Sequence, residues 1–286
     1  MMNGLHRYFS TCLLATAALL GSVSPASAQV SQVPLGAAAG FTVLGGTNVT
    51  CTGGVIIGDV GVSPGSAVPF TNTGCTISGA VPPATDAAAV QARIDFLSAY
   101  AALQLQSTSC IATPGILGGL DLPPGVYCTD AVAKAGTLTL TGPSNGVWIF
   151  LVNGALTGTN FSVVMAGGGQ PCNVFWAPNA AATLTTSAFK GNILAGDPIN
   201  GSITITGGSL AGRILASVAV TMTNASVVGC EALSTCPCHD KKHKHCNQGV
   251  GNGSEGCDPG NSNQNHPSND EQGGTPGNPG RKGGNK

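Results

Sequence analysis

Between about Pro34 and Leu233, short apolar runs alternate with Gly, Asn and Pro. Most of these runs have the period-two pattern of a strand with one face buried. "TLTLTG" alternates Thr and Leu from Thr137. "GVWIFLVNG" (146–154) is continuously apolar, which suits a strand covered on both sides. One segment breaks the rhythm. "PPATDAAAVQARIDFLSAYAALQLQ" (82–106) places Val90, Ile94, Leu97, Ala101 and Leu105 at helical spacing. A helix is therefore expected from Asp86 to Gln106, capped by Thr85, with Asp86 in its first turn and a length of about 32 Å.

Toward the C-terminus the strand pattern repeats irregularly. "TLTTSAFKGNILA" begins at Thr183, "TITGGSLAGRILA" at Thr204 and "TMTNASVVG" at Thr221. The intervals are 21 and 17 residues. Repeats of about this size, each holding several short strands, predict the coils of a β-solenoid. Coils stack about 4.8 Å apart, so a helix of about 32 Å would run along roughly seven of them. The expected fold is mostly β: an irregular β-solenoid with one long α-helix packed alongside.

In a strand, Thr204 and Thr206 share one side and Ile205 takes the other. Leu184, Ile205 and Met222 are then expected to stack inward. Thr183, Thr185, Thr204, Thr206, Thr221 and Thr223 would form an outward grid, about 6.7 Å along each strand and about 4.8 Å between coils. Thr137, Thr139, Thr157 and Thr159 are expected to extend it. Threonine is also an ordinary strand residue, but this face lacks the Lys and Glu that keep most surfaces soluble. A flat, uncharged, periodic face suits a flat, periodic partner, either crystalline water or a crystalline polysaccharide.

Composition narrows the function further. Only 8% of residues are charged, against about 25% in an ordinary domain, and 42% are hydrophobic. No basic stripe exists to neutralise phosphates, so nucleic acid is not an expected partner. The acids between Gln29 and Ser234 are Asp59, Asp86, Asp95, Asp121, Asp130, Asp197 and Glu231; the bases are Arg93, Lys134, Lys190 and Arg213. No carboxylate pair recurs at coil spacing, as a glycosidase would need. A non-enzymatic protein without a cofactor is expected, working as a monomer. Asp59, in "GDVG", reads as a cap on backbone N–H groups.

Both ends differ from the body. Arg7, the apolar run "TCLLATAALLGSV" and Ala26-Ser27-Ala28 before Gln29 form a secretory signal over 1–28. The run is too short to span a bilayer, so a secreted protein is expected, free or at the cell surface. The domain is read as 29–234. From 235 to 286 the chain is polar and rich in Gly, Asn and Pro, and is expected to be disordered. Cys51, Cys75, Cys110, Cys128, Cys172 and Cys230 suit disulfides in an oxidising compartment. Several pairings are open; the sequential one, Cys51–Cys75, Cys110–Cys128 and Cys172–Cys230, is the expectation. The tail motif "CPCHDKKHKHC" brings Cys236, Cys238, His239, His243, His245 and Cys246 together. These are zinc or copper ligand types, in a spacing that matches no standard zinc motif.

Several segments carry a family resemblance: "PLGAAAGFTVLGGTNVT" (34–50), "IIGDVGVSPGSAV" (56–68), "LDLPPGVYC" (120–128), "GVWIFLVNGAL" (146–156), "CNVFWAPNAAATLTTSAFKGNILA" (172–195) and "GSLAGRILASVAVTMTNASV" (208–227). Together they resemble the ice-binding-like antifreeze protein family, once known as a domain of unknown function. The resemblance runs in order from about Pro34 to Glu231. It implies a discontinuous triangular β-solenoid with one long helix, adsorption to ice through one flat face, and no catalysis. Thr157, Gly158 and Asn160 are similar to a T-G-x-N motif on the ice face of some members. The Cys/His tail departs from the family's pattern. Without ice activity, the same surface would serve as an adhesion or polysaccharide-binding module at the cell surface.

Overall fold

The structure, a computed structural model, describes residues 33–64, 69–131 and 133–230. Residues 1–28, expected to be a secretory signal, the tail expected from 235 and the six Cys/His candidates of "CPCHDKKHKHC" lie outside the described residues. Within them, every pairing between strands is parallel, as stacked coils require. Each full coil passes through three sides. One side is an eight-stranded sheet, in the spatial order Val60–Val62, Val43–Gly45, Ile214–Ala216, Asn192–Ala195, Val174–Pro178, Trp148–Asn153, Gly125–Asp130 and Ile111–Ala112. The other two sides belong to one ten-stranded sheet folded along a corner. The strands Asn48–Ile57, Leu156–Ala166 and Ala219–Val228 run straight across that corner.

The order in space is not the order in sequence. The first coil built, 43–57, lies against the last, 214–228. The second, 60–77, caps that end of the stack. The chain then crosses to the opposite end through the helix and winds back. This is the discontinuity that the family resemblance implies.

Inward residues form files along the axis. One file is Tyr127, Phe150, Trp176, Ile193, Ile214, Val43 and Val60, each paired with the next. Phe150 stacks on Trp176 at 4.0 Å and Tyr127 on Phe150 at 5.4 Å. Such pairs add to the hydrophobic gain of burying large rings. The buried indole N–H groups are satisfied, Trp148 by the carbonyl of Leu122 and Trp176 by that of Lys190.

The helix α1 spans Ala87–Gln104 and continues as a 3-10 turn over Leu105–Ser109. Its cap is Asp86, not Thr85: the Asp86 carboxylate accepts from the N–H groups of Ala88 and Ala89. Its buried face is also not the expected one. Ala89, Ala92, Ala99, Phe96 and Leu103 face the sheet, while Val90, Ile94 and Leu105 are exposed. The reason is steric. The sheet already presents large outward side chains, Leu44, Leu215, Leu194 and Ile149, so small residues let the helix come close. Polar bonds along the helix then hold it: Arg93 Nη1 to Ser217 O (2.9 Å), Tyr100 Oη to Pro178 O (3.1 Å) and Gln104 Nε2 to Ala177 O (3.2 Å). Asp95 accepts from the N–H of Ala37 at 2.7 Å and so binds the 3-10 turn Gly36–Gly40 to the helix.

A buried polar cluster ties the two chain ends of the domain together. Arg213, 8% exposed, donates from Nε and Nη2 to the carbonyl of Ala39 and from Nη1 to Asn192 Oδ1. Asn192 Nδ2 donates to the carbonyls of Cys172 and Val174. The disulfide Cys172–Cys230 closes the same region. Cys51–Cys75 joins the terminal coil to its neighbour, and Cys110–Cys128 joins the end of the helix segment to the next coil. These are the sequential pairs. Asp59 Oδ1 accepts from the N–H of Ala80, the capping role read from "GDVG".

Arg213→Met strands the Ala39 carbonyl and the Asn192 amide oxygen, at about 1–3 kcal/mol each; calorimetry should show a clear fall in Tm. Phe96→Ala should cost about 3–5 kcal/mol, whereas Ile94→Ala on the outer helix face should stay within about 0.5 kcal/mol of wild type by denaturant titration.

Candidate functional site

The first side of the ten-stranded sheet carries two straight files of threonine. Thr71, Thr50, Thr221, Thr204, Thr183 and Thr157 form one, each paired in register with the next. Thr73, Thr52, Thr223, Thr206, Thr185 and Thr159 form the other. The grid repeats at about 4.8 Å between coils and about 6.7 Å along each strand. Between the files, Leu184, Ile205, Met222 and Cys51 point inward and are buried. Gly158 takes the same inward position, where a Cβ would meet Leu184 at 2.9 Å. The core below the array is thus filled and holds it flat.

The corner beside the second file explains why the files stay straight. Each coil has a residue of positive φ there: Asn160 (49°), Thr186 (46°), Gly207 (65°), Asn224 (51°), Gly53 (55°) and Gly74 (77°); in two coils a second follows, Gly208 (75°) and Gly54 (134°). Asn and Gly adopt this region readily. Thr186 is β-branched and strained there, and its hydroxyl donates to Asn160 Oδ1 at 2.5 Å. The positive-φ residue follows the second file directly in all six coils, so the chain reaches the corner in the same register each time.

No charged side chain lies in either file. Flanking the first file are Asn48 and Ala219, which pair, with Ser202, Ala181 and Ala155 at the equivalent place in their coils. Among the described residues, the one side-chain hydrogen bond reaching the array's hydroxyls is the 3.5 Å contact from Asn48 Nδ2 to Thr50 Oγ1. The array stops where Lys134 pairs with Gly158. Lys134 is fully buried, and its Nζ donates to the carbonyls of Gly115 and Asp130, both at 2.6 Å. Burial pushes its pKa below the usual lysine value, opposed by the nearby Asp130 charge.

Eight of the ten threonines expected from sequence therefore come together. Thr137 and Thr139 do not. They pair with Ser162 and Val164 on the other side of the corner, on a surface that also carries Lys190 and Asp121. The reason is that coil 125–141 has no strand on the threonine side; its strand Lys134–Thr141 lies almost wholly past the corner. Four array residues were missed: Thr50, Thr52, Thr71 and Thr73. "NVTCT" and "FTNTG" carry the same T-x-T signal, but their place beside Thr221 depends on the closing of the chain. Among the described residues no group of three His, Cys, Asp or Glu is placed to hold a metal, and no helix is long and apolar enough to cross a membrane.

Known proteins match this architecture. The family signature described as Ice-binding-like matches residues 43–228. An ice-binding protein of Flavobacterium frigoris is 36% identical over 70% of this chain and 78% of its own length. Ice-binding protein K3-B1 of Typhula ishikariensis is 34% identical over 66% of this chain and 86% of its own. The crystal structure of an ice-binding protein from the Antarctic ascomycete Antarctomyces psychrotrophicus superposes with a TM-score of 0.57 at 31% identity, covering 69% of this chain and 98% of that one. In sequence and in fold alike, this chain belongs to the ice-binding-like family.

Proposed function

We propose that this protein is a secreted, non-enzymatic ice-binding protein that adsorbs to ice through the two-file threonine array as a monomer. The observation that carries this reading is the register itself: threonine faces threonine through six coils, in two files, on a face without charge. Each side chain offers a hydroxyl that can anchor an ordered water and a methyl that fills the gap beside it. Threonine is stiff at χ1 and sits on a rigid sheet, so little freedom is lost on adsorption. Ice growing between adsorbed molecules is forced to curve, which slows growth and recrystallisation. The signal segment over 1–28 delivers the protein to the outside.

Thermal hysteresis and recrystallisation assays test the face. Thr204→Tyr and Thr221→Tyr should lower hysteresis several-fold with unchanged circular dichroism. Thr50→Tyr should do the same, although it lies far away in sequence. Thr137→Tyr, past the corner, should keep wild-type activity. Full activity in all three array variants would show that another face binds.

A further inference from the structure

The 21-residue interval from Thr183 to Thr204 exceeds the 17-residue interval from Thr204 to Thr221 by four residues. The structure locates the excess between Ala195 and Ile203, in "GDPINGS" (196–202), where the chain passes from the helix-covered sheet to the threonine face. Neighbouring coils make this passage with far fewer residues, such as Ser217 and Val218 between Ala216 and Ala219. At the tip stands Ile199, 80% exposed.

This loop is held firmly. Asp197 Oδ1 accepts from the N–H groups of Ile199 (2.9 Å) and Asn200 (2.5 Å). Those bonds hold the Asp197 pKa below the usual carboxylate value. The N–H of Gly201 donates to Asp197 O at 2.9 Å, and that of Val218 donates to Gly201 O at 3.1 Å. Ser217 Oγ on the next coil donates to Asp197 O. A Cβ on Gly201 would run into Ser217 Oγ and Ala195 O, at 2.2 and 2.4 Å, so the close approach needs glycine. Pro198 restricts its own φ.

A large aliphatic side chain on a mobile loop would mean little. Here the backbone beneath Ile199 is bonded on both sides, yet the side chain stays in water rather than folding onto the helix or sheet. A hydrophobic group already held on a rigid support loses little freedom when it meets a surface outside the chain. The loop leads directly into the array: three residues after Ile199 the chain reaches Ser202, which flanks Thr204.

We infer that Ile199 is a further ice-contact residue, an apolar anchor that widens the threonine array at its edge. The inference rests on the array being the adsorbing face. Its partner is the same ordered water surface, met by a hydrocarbon group instead of a hydroxyl.

The test compares three variants of the full chain with wild type: Ile199→Asp, Ile199→Leu and, as a remote control, Ile94→Asp on the outer face of α1. Thermal hysteresis is measured beside Tm, and fluorescently labelled protein is bound to a single-crystal ice hemisphere. Ile199→Asp should lower hysteresis at least two-fold at unchanged Tm and narrow the range of ice planes bound. Ile199→Leu and Ile94→Asp should match wild type. Full activity of Ile199→Asp alongside an inactive Thr204→Tyr overturns this inference and leaves the array standing. A fully active Thr204→Tyr removes the array, and this inference with it. An equal loss in Ile94→Asp would mean that added charge anywhere matters, which also overturns it.

Discussion

The in-register parallel ladder between Asn48–Ile57 and Ala219–Val228 is the interaction on which the rest depends. It joins the first coil of the chain to the last and turns two stacks into one. Without it, the threonine files would end at Thr221 and Thr223, and the core below Met222 would open to water. Its energetic cost is the closure of a very long loop. That cost grows only slowly with length, and it is offset by buried Val49, Cys51, Ile56, Val220, Met222 and Val227. Arg213, Asn192 and the disulfide Cys172–Cys230 lie beside this joint and secure it.

Charge is distributed so as to leave one face empty. The domain needs a few ionic groups, and most of those seen are used internally. Arg213 and Lys134 are buried against backbone carbonyls, and Arg93 and Asp95 pin the helix. Lys190 and Asp121 stand on the surface past the corner. Low charge at a surface sacrifices solubility. It is tolerable here because the outward groups of the array are threonines, whose hydroxyls remain hydrated while their methyls present hydrocarbon.

The helix shows where pattern reading fails and why. Val90, Ile94, Leu97, Ala101 and Leu105 have helical spacing, and all but Ala101 are large and aliphatic, so hydrophobicity favours them as the buried face. The sheet selects the opposite face, because a flat surface already studded with leucines leaves room for alanines, with Phe96 and Leu103 filling the gaps. Bulk on one partner demands smallness on the other, and that demand comes from a surface distant in sequence. Asp86 as cap, by contrast, was only one residue away from the expected Thr85, since both are local solutions to the same unpaired N–H groups.

What the sequence determined by itself is whatever repeats locally. The period-two alternation, the T-x-T pairs at coil spacing, the inward Leu184, Ile205 and Met222 and the single long helix were all legible, because each depends on residues a few positions apart. The tertiary structure decided what lies next to what. It set Thr50 and Thr71 in line with Thr221, sent Thr137 and Thr139 past the corner, and turned the alanines of α1 inward. It also held Ile199 exposed at the tip of the loop that leads into the array, a loop that the sequence shows only as four residues too many. The physical reason is that a solenoid's faces are defined by stacking between coils. Register between coils far apart in the chain is fixed by packing and chain closure, and no local pattern records it.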